Sequence, residues 1–229
     1  MKKSLWFPKE EFDKRLEKLQ SNMREKNIDL MIAYQPETVT YITGFFTTGY
    51  ETSFSLAVIP VDGQPILITR VVEKFYFDQT GAYDSYEFYQ DGEDVDEYTI
   101  NAIKKTGYDS GHIGIDMGAW NFGLMRYQKL QKGLPKAKFI DVGDMANRMR
   151  WVKSPKEVDY MKLAAKAAES GMAAVSSVAR AGVSERELAV VISSAQVRSG
   201  SDTAEVGPIA SGERAFHIHG LYSDRLLES

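Results

Sequence analysis

The 229-residue chain is 43% hydrophobic and 26% charged, the balance of an ordinary globular protein, which argues against disordered, collagen-like and membrane-spanning classes. Lys and Arg number 28 against 32 Asp and Glu, a net charge of −4 with no basic run, so the electrostatic footprint of a nucleic-acid binder is missing. No cysteine occurs, which removes disulfide scaffolds, thiolate metal sites and cysteine nucleophiles.

The opening residues hold only Leu5-Trp6-Phe7 as an apolar stretch before Pro8 and more charge. That is too short for a signal-peptide core, and no window approaches a membrane span, so a cytoplasmic protein is expected. An amphipathic helix is predicted over 8–26, where Phe12, Leu16, Leu19 and Met23 recur at helical steps behind Pro8. A buried strand follows over 29–34, then a short helical turn over 39–42 stopped by Gly44. Residues 54–60 and 65–70 read as two strands joined by an Asp62-Gly63 hairpin turn. Helices are predicted over 72–80, 95–105 and 121–132, alternating with strands over 84–89, 112–116 and 138–141. This alternation predicts an α/β layer structure.

The composition shifts near 145–153. Ser154-Pro155-Lys156-Glu157 and Ser184-Glu185-Arg186-Glu187 are capping boxes that open two helices, running to about 180 and 198. Leu163, Ala167, Ser170 and Ala174 form a predicted small-residue stripe on the first; Leu188, Val191, Ile192 and Ala195 share a face of the second. Beyond Gly200 the pattern is irregular, with strand candidates at 206–210 and 215–219. A helical hairpin with two short strands does not close a core, so the chain is expected to stop inside a domain. Its uncovered apolar face is expected to cause self-association.

Phosphate loops, dinucleotide fingerprints, zinc-peptidase helices and nucleophile elbows are absent. The chemistry-bearing candidate is His217-Ile218-His219, in a chain of three histidines. On a strand, residues two apart share a face, so both imidazoles would enter one cleft. Metal ligation by the pair, proton transfer by one of them, and local hydrogen bonding at a rim are the readings open at this point. Metal ligation requires a third ligand, and His112 lies on a distant predicted strand. Asp116 ends that strand and is expected to cap the next turn, and the aromatics from Tyr41 to Phe54 are expected to be mostly core.

Arg150-Trp151-Val152-Lys153-Ser154-Pro155, followed by Glu157, resembles the segment that opens the first long catalytic-domain helix in the creatinase/aminopeptidase P (pita-bread) family, which includes the prolidases. Ser211-Gly212, then His219, then Ser223-Asp224-Arg225 resembles the family's active-site histidine segment. The first helix, the strand up to Tyr34 and Tyr41-Ile42-Thr43-Gly44-Phe45 are similar to its N-terminal domain. The resemblance implies a creatinase-like N-terminal domain (1–147), a mixed sheet flanked by helices, and the first part of an incomplete α+β pita-bread domain (148–229).

It also implies that His219 is the catalytic imidazole, stabilising the tetrahedral intermediate in peptidases or acting as acid and base in creatinase-like members. His217 has no firm family role and is assigned to substrate, as are Tyr50 and Glu51, whose loop would reach a neighbouring subunit of a homodimer. Family peptidases bind two divalent ions, manganese or cobalt, through two Asp, one His and two Glu. All five follow the His219 segment, so no metal ligand is assigned in this chain and no Xaa-Pro hydrolysis is expected of it alone. The implied substrate is a small peptide, or a small amide or amidine for a metal-free creatinase- or ectoine-hydrolase-like enzyme. A non-enzymatic binding module is the third alternative.

Overall fold

The computed structural model describes residues 3–50, 53–204, 206–216 and 218–229. The chain divides into two units, Met1–Val152 and Lys153–Ser229.

The first unit is built on a six-stranded sheet in the order β4-β3-β2-β1-β5-β6. The strands are β1 (Leu30–Ala33), β2 (Leu56–Pro60), β3 (Ile66–Arg70), β4 (Tyr86–Tyr89), β5 (His112–Ile115) and β6 (Lys138–Asp141). β1 pairs antiparallel with β2 and parallel with β5, so the sheet is mixed. Every residue of β1 and β2 is buried, because helices cover both faces. Their alternate side chains enter two cores. Met31, Ala33, Ala57 and Ile59 meet Phe12, Leu16 and Leu19 of α1 (Lys9–Glu25), with Val39 and Ile42 of α2 (Pro36–Thr43). On the other side Leu30, Ile32, Leu56 and Val58 meet Ile100 and Ile103 of α4 (Val95–Thr106) and Leu130 of α5 (Leu124–Gly133). α3 (Lys74–Thr80) contributes Phe77 and α6 (Met145–Met149) contributes Met145 to the first core.

Several element limits differ from the sequence reading. α2 starts at Pro36 because proline suits the first helical position, and it ends where Gly44 takes φ +74°. A Cβ on Gly44 would lie 3.0 Å from the Phe12 ring. The predicted helix at 72–80 is a short 3-10 turn, Val71–Glu73, running into α3.

In the second unit, α7 (Pro155–Val178) and α8 (Glu185–Arg198) form the predicted hairpin, each opened by a complete capping box. The contact is narrower than predicted. Ala167 and Gly171 are the buried residues of α7, whereas Leu163 is 57% exposed. A Cβ on Gly171 would stand 3.2 Å from Ile192 Cγ2, so the absent side chain is what admits α8. The strand predicted at 206–210 does not form; these residues have no ladder partner. The second candidate fails because Gly212–Phe216 closes into a 3-10 turn and Ile218 and His219 lie in a following turn. Among the described residues no helix is long and apolar enough to cross a membrane.

Candidate functional site

The tail of the second unit is laid back along the start of α8. The Leu227 amide donates to Val183 O (2.8 Å), the Gly182 amide to Leu227 O (3.0 Å), the Glu185 amide to Arg225 O (3.0 Å) and the Arg186 amide to Ser223 O (3.0 Å). Arg186 Nε donates to Asp224 Oδ1 at 2.7 Å.

The Glu185 carboxylate lies beneath this layer with no exposed surface. Its Oε1 accepts from the Ser211 amide (2.8 Å) and hydroxyl (2.9 Å). Its Oε2 accepts from the Ser223 amide (3.0 Å) and hydroxyl (2.7 Å). Arg214 Nε stands 3.6 Å from Oε2. A buried carboxylate is tolerated only when its oxygens are satisfied, and the first turn of a helix favours negative charge. These hydrogen bonds, that from the Ser223 hydroxyl foremost, pull the carboxyl down to about 2 against burial, which pushes it up.

Between the two serines the chain forms the 3-10 turn and then the exposed turn that carries His219. Arg214 Nη2 donates across this segment to Leu221 O at 2.6 Å. Gly212 has φ +55°, a conformation that favours glycine, and the Arg225 guanidinium lies where a Cβ would stand. His217 lies outside the described residues. His219 lies in a turn rather than on the strand that paired ligation with His217 presupposes. Nearby, a cleft of about 490 Å³ is lined by Arg186, Ala189, Val190, Ser193, Val206 and Tyr222, among others.

Tyr50 belongs to the first unit. Its hydroxyl donates to Phe45 O (3.2 Å) and lies 3.3 Å from Thr40 Oγ1. Burial pushes its phenol above the ordinary range. The ring stands edge-on to Phe45 and Phe46, beside a cleft of about 430 Å³ bounded by Thr47, Ser53, Glu73 and Tyr76. Glu51 lies outside the described residues. Asp116 caps its turn as expected, accepting from the Gly118 amide at 3.1 Å. Burial first, then Asp141 and Asp144, raise its carboxyl.

Residues 15–152 match the family model of the creatinase/prolidase N-terminal domain. The chain belongs to that family. It is 27% identical to ectoine hydrolase of Halomonas elongata over 177 residues, 71% of this chain and 43% of that protein. It is 26% identical to an Xaa-Pro dipeptidase of Lactobacillus helveticus over 175 residues, 76% of this chain and 47% of the other. The prolidase of Pyrococcus horikoshii superposes with a TM-score of 0.76 at 22% identity, over 94% of this chain and 57% of that one. The fold is therefore that of the prolidases over the stretch compared, and this family chain spans about half the length of the curated relatives it matches.

Among the described residues of this family member, no group of three or more His, Asp or Glu side chains is arranged to hold a metal ion. The donor set among them does not fit a two-metal centre. Glu185 is the residue that sequence reasoning missed. It was visible only as part of a capping box, because its partners lie far downstream and no local pattern announces them.

Proposed function

We propose that these residues belong to a hydrolase of small Xaa-Pro peptides, with His219 as its acting imidazole. The carrying observation is the likeness to the Lactobacillus Xaa-Pro dipeptidase, which takes in more of the chain than the 15–152 family segment alone. Addition of water to the scissile amide makes the carbonyl carbon tetrahedral and places negative charge on its oxygen, before the C–N bond breaks and the protonated amine leaves. An imidazole N–H aimed at that oxygen stabilises the charge as it develops. The exposed position of His219 on a fastened turn suits this role.

His217 and Glu51 are assigned to substrate contact in the same reading, and Tyr50 contributes through its ring, since its hydroxyl is bonded within its own loop. In the same reading the assembly is a cytoplasmic homodimer, and the described residues contribute no metal-binding cluster to it. A second reading, a metal-free C–N hydrolase of the creatinase or ectoine-hydrolase type, is supported by the 27% identity to ectoine hydrolase.

The test is steady-state hydrolysis of Ala-Pro, creatine and ectoine by a full-length protein that contains this sequence. Turnover of Ala-Pro is expected, and His219→Ala is expected to lower kcat about 100-fold with little change in KM. Wild-type kcat in that variant would remove His219 from the reaction, and turnover of ectoine or creatine alone would select the second reading.

A further inference from the structure

We propose that Glu185 is a positioning residue for His219, a buried carboxylate that fastens both ends of the segment carrying the imidazole. The inference rests on the reading of His219 given above. One oxygen holds Ser211 by amide and hydroxyl, and the other holds Ser223 in the same way. A capping residue needs none of this, since Ser184 and Glu187 complete the cap of α8 without Glu185. Burying an anion completely to hold two loop serines is costly unless it fixes a geometry.

The described residues between the serines are held at both ends by these attachments. The 3-10 turn begins one residue after Ser211, and His219 lies four residues before Ser223. Arg214, beside the carboxylate, reaches over the turn to Leu221 O. Arg225, whose amide donates to Ser223 Oγ at 3.1 Å, fills the space under Gly212. The turn is thus tied on both sides, while most of its described residues, Phe216, Ile218 and His219 among them, face solvent. Neutralising Glu185 releases both ends at once, whereas losing one serine hydroxyl leaves the amide donor of that serine in place.

The test is hydrogen exchange and imidazole NMR on the 229-residue chain with Glu185→Gln and Glu185→Asp. Expected for Glu185→Gln is at least tenfold faster exchange of the Ser211 and Ser223 amides, unchanged protection in β1 and β2, and His219 resonances moved toward those of an unstructured peptide. Glu185→Asp, which keeps the charge, restores part of both. Unchanged exchange at the two serines overturns the proposal, and so do loosened serines with unmoved His219 resonances. Should Glu185→Gln not fold, Ser211→Ala and Ser223→Ala replace it, each expected to speed exchange severalfold and the double variant more than either; no acceleration in the double variant overturns the proposal. His219→Ala keeps the two ideas apart: intact hydrolysis with that variant in the longer protein defeats the functional reading without touching the serine result.

Discussion

Arg15 shows how one side chain ties two elements of the first unit together. It is 7% exposed, pairs with Glu11 at 2.6 Å and donates to Tyr41 O at 3.2 Å. Its guanidinium lies 4.3 Å from the ring centres of both Phe7 and Tyr41. Arg15→Ala is expected to lower stability by about 3 kcal/mol, from the stranded partner carboxylate and the lost stacking. Arg15→Lys should recover only part, because an ammonium does not stack as a planar guanidinium does. Urea unfolding checks both, and a loss under about 1 kcal/mol for Arg15→Ala would contradict the assignment. Tyr34 is the opposite case, a fully buried phenol whose hydroxyl has no hydrogen-bond partner among the described residues. Tyr34→Phe removes an unsatisfied group, so stability should hold or rise by about 1 kcal/mol. A clear loss in the same unfolding experiment would show that the hydroxyl is satisfied in solution.

Helix caps and the serine attachments are the devices that set the elements of the second unit. Ser154 and Ser184 each accept from the backbone three residues on, and each receives the reciprocal bond from glutamate. Replacing either with alanine is expected to cost about 1 kcal/mol, read as a lowered unfolding midpoint. The Glu185 carboxyl lies below its ordinary value of 4.5, at about 2, so its contribution is fully present above pH 4.5 and is lost as pH falls toward 2. Exchange at the Ser211 and Ser223 amides, corrected for intrinsic rates, should rise across that window in the wild type and stay flat in Glu185→Gln. A flat wild-type profile would contradict the lowered value. Both capping boxes were legible in the sequence, because their bonds span three residues. So were β1, β2 and β5, whose apolar runs reflect burial between two helical layers. The tail was misread because short apolar runs at 206–210 and 215–219 resemble strands locally. What decides their conformation is a carboxylate 26 and 38 positions from its serine partners. For the site, His219 is a candidate by family resemblance alone, while the residue holding its turn leaves no periodic or motif signal.

Over the whole molecule, the second unit leaves Val158, Met161, Leu163 and Met172 of α7 and Val190 and Val197 of α8 exposed. An apolar display of this kind favours association. Sedimentation velocity is expected to show concentration-dependent oligomers that Leu163→Lys weakens, and a monomer at all concentrations would count against it. The same helical hairpin carries the fastened turn with His219, yet the described residues supply no side-chain group able to hold a metal. In the proposed reading this chain contributes the imidazole, and it spans about half the length of the curated relatives it matches. The most direct measurement is manganese-dependent release of proline from Ala-Pro by the purified 229-residue protein. The account predicts no turnover above the uncatalysed rate, and sustained turnover abolished by chelation would contradict it.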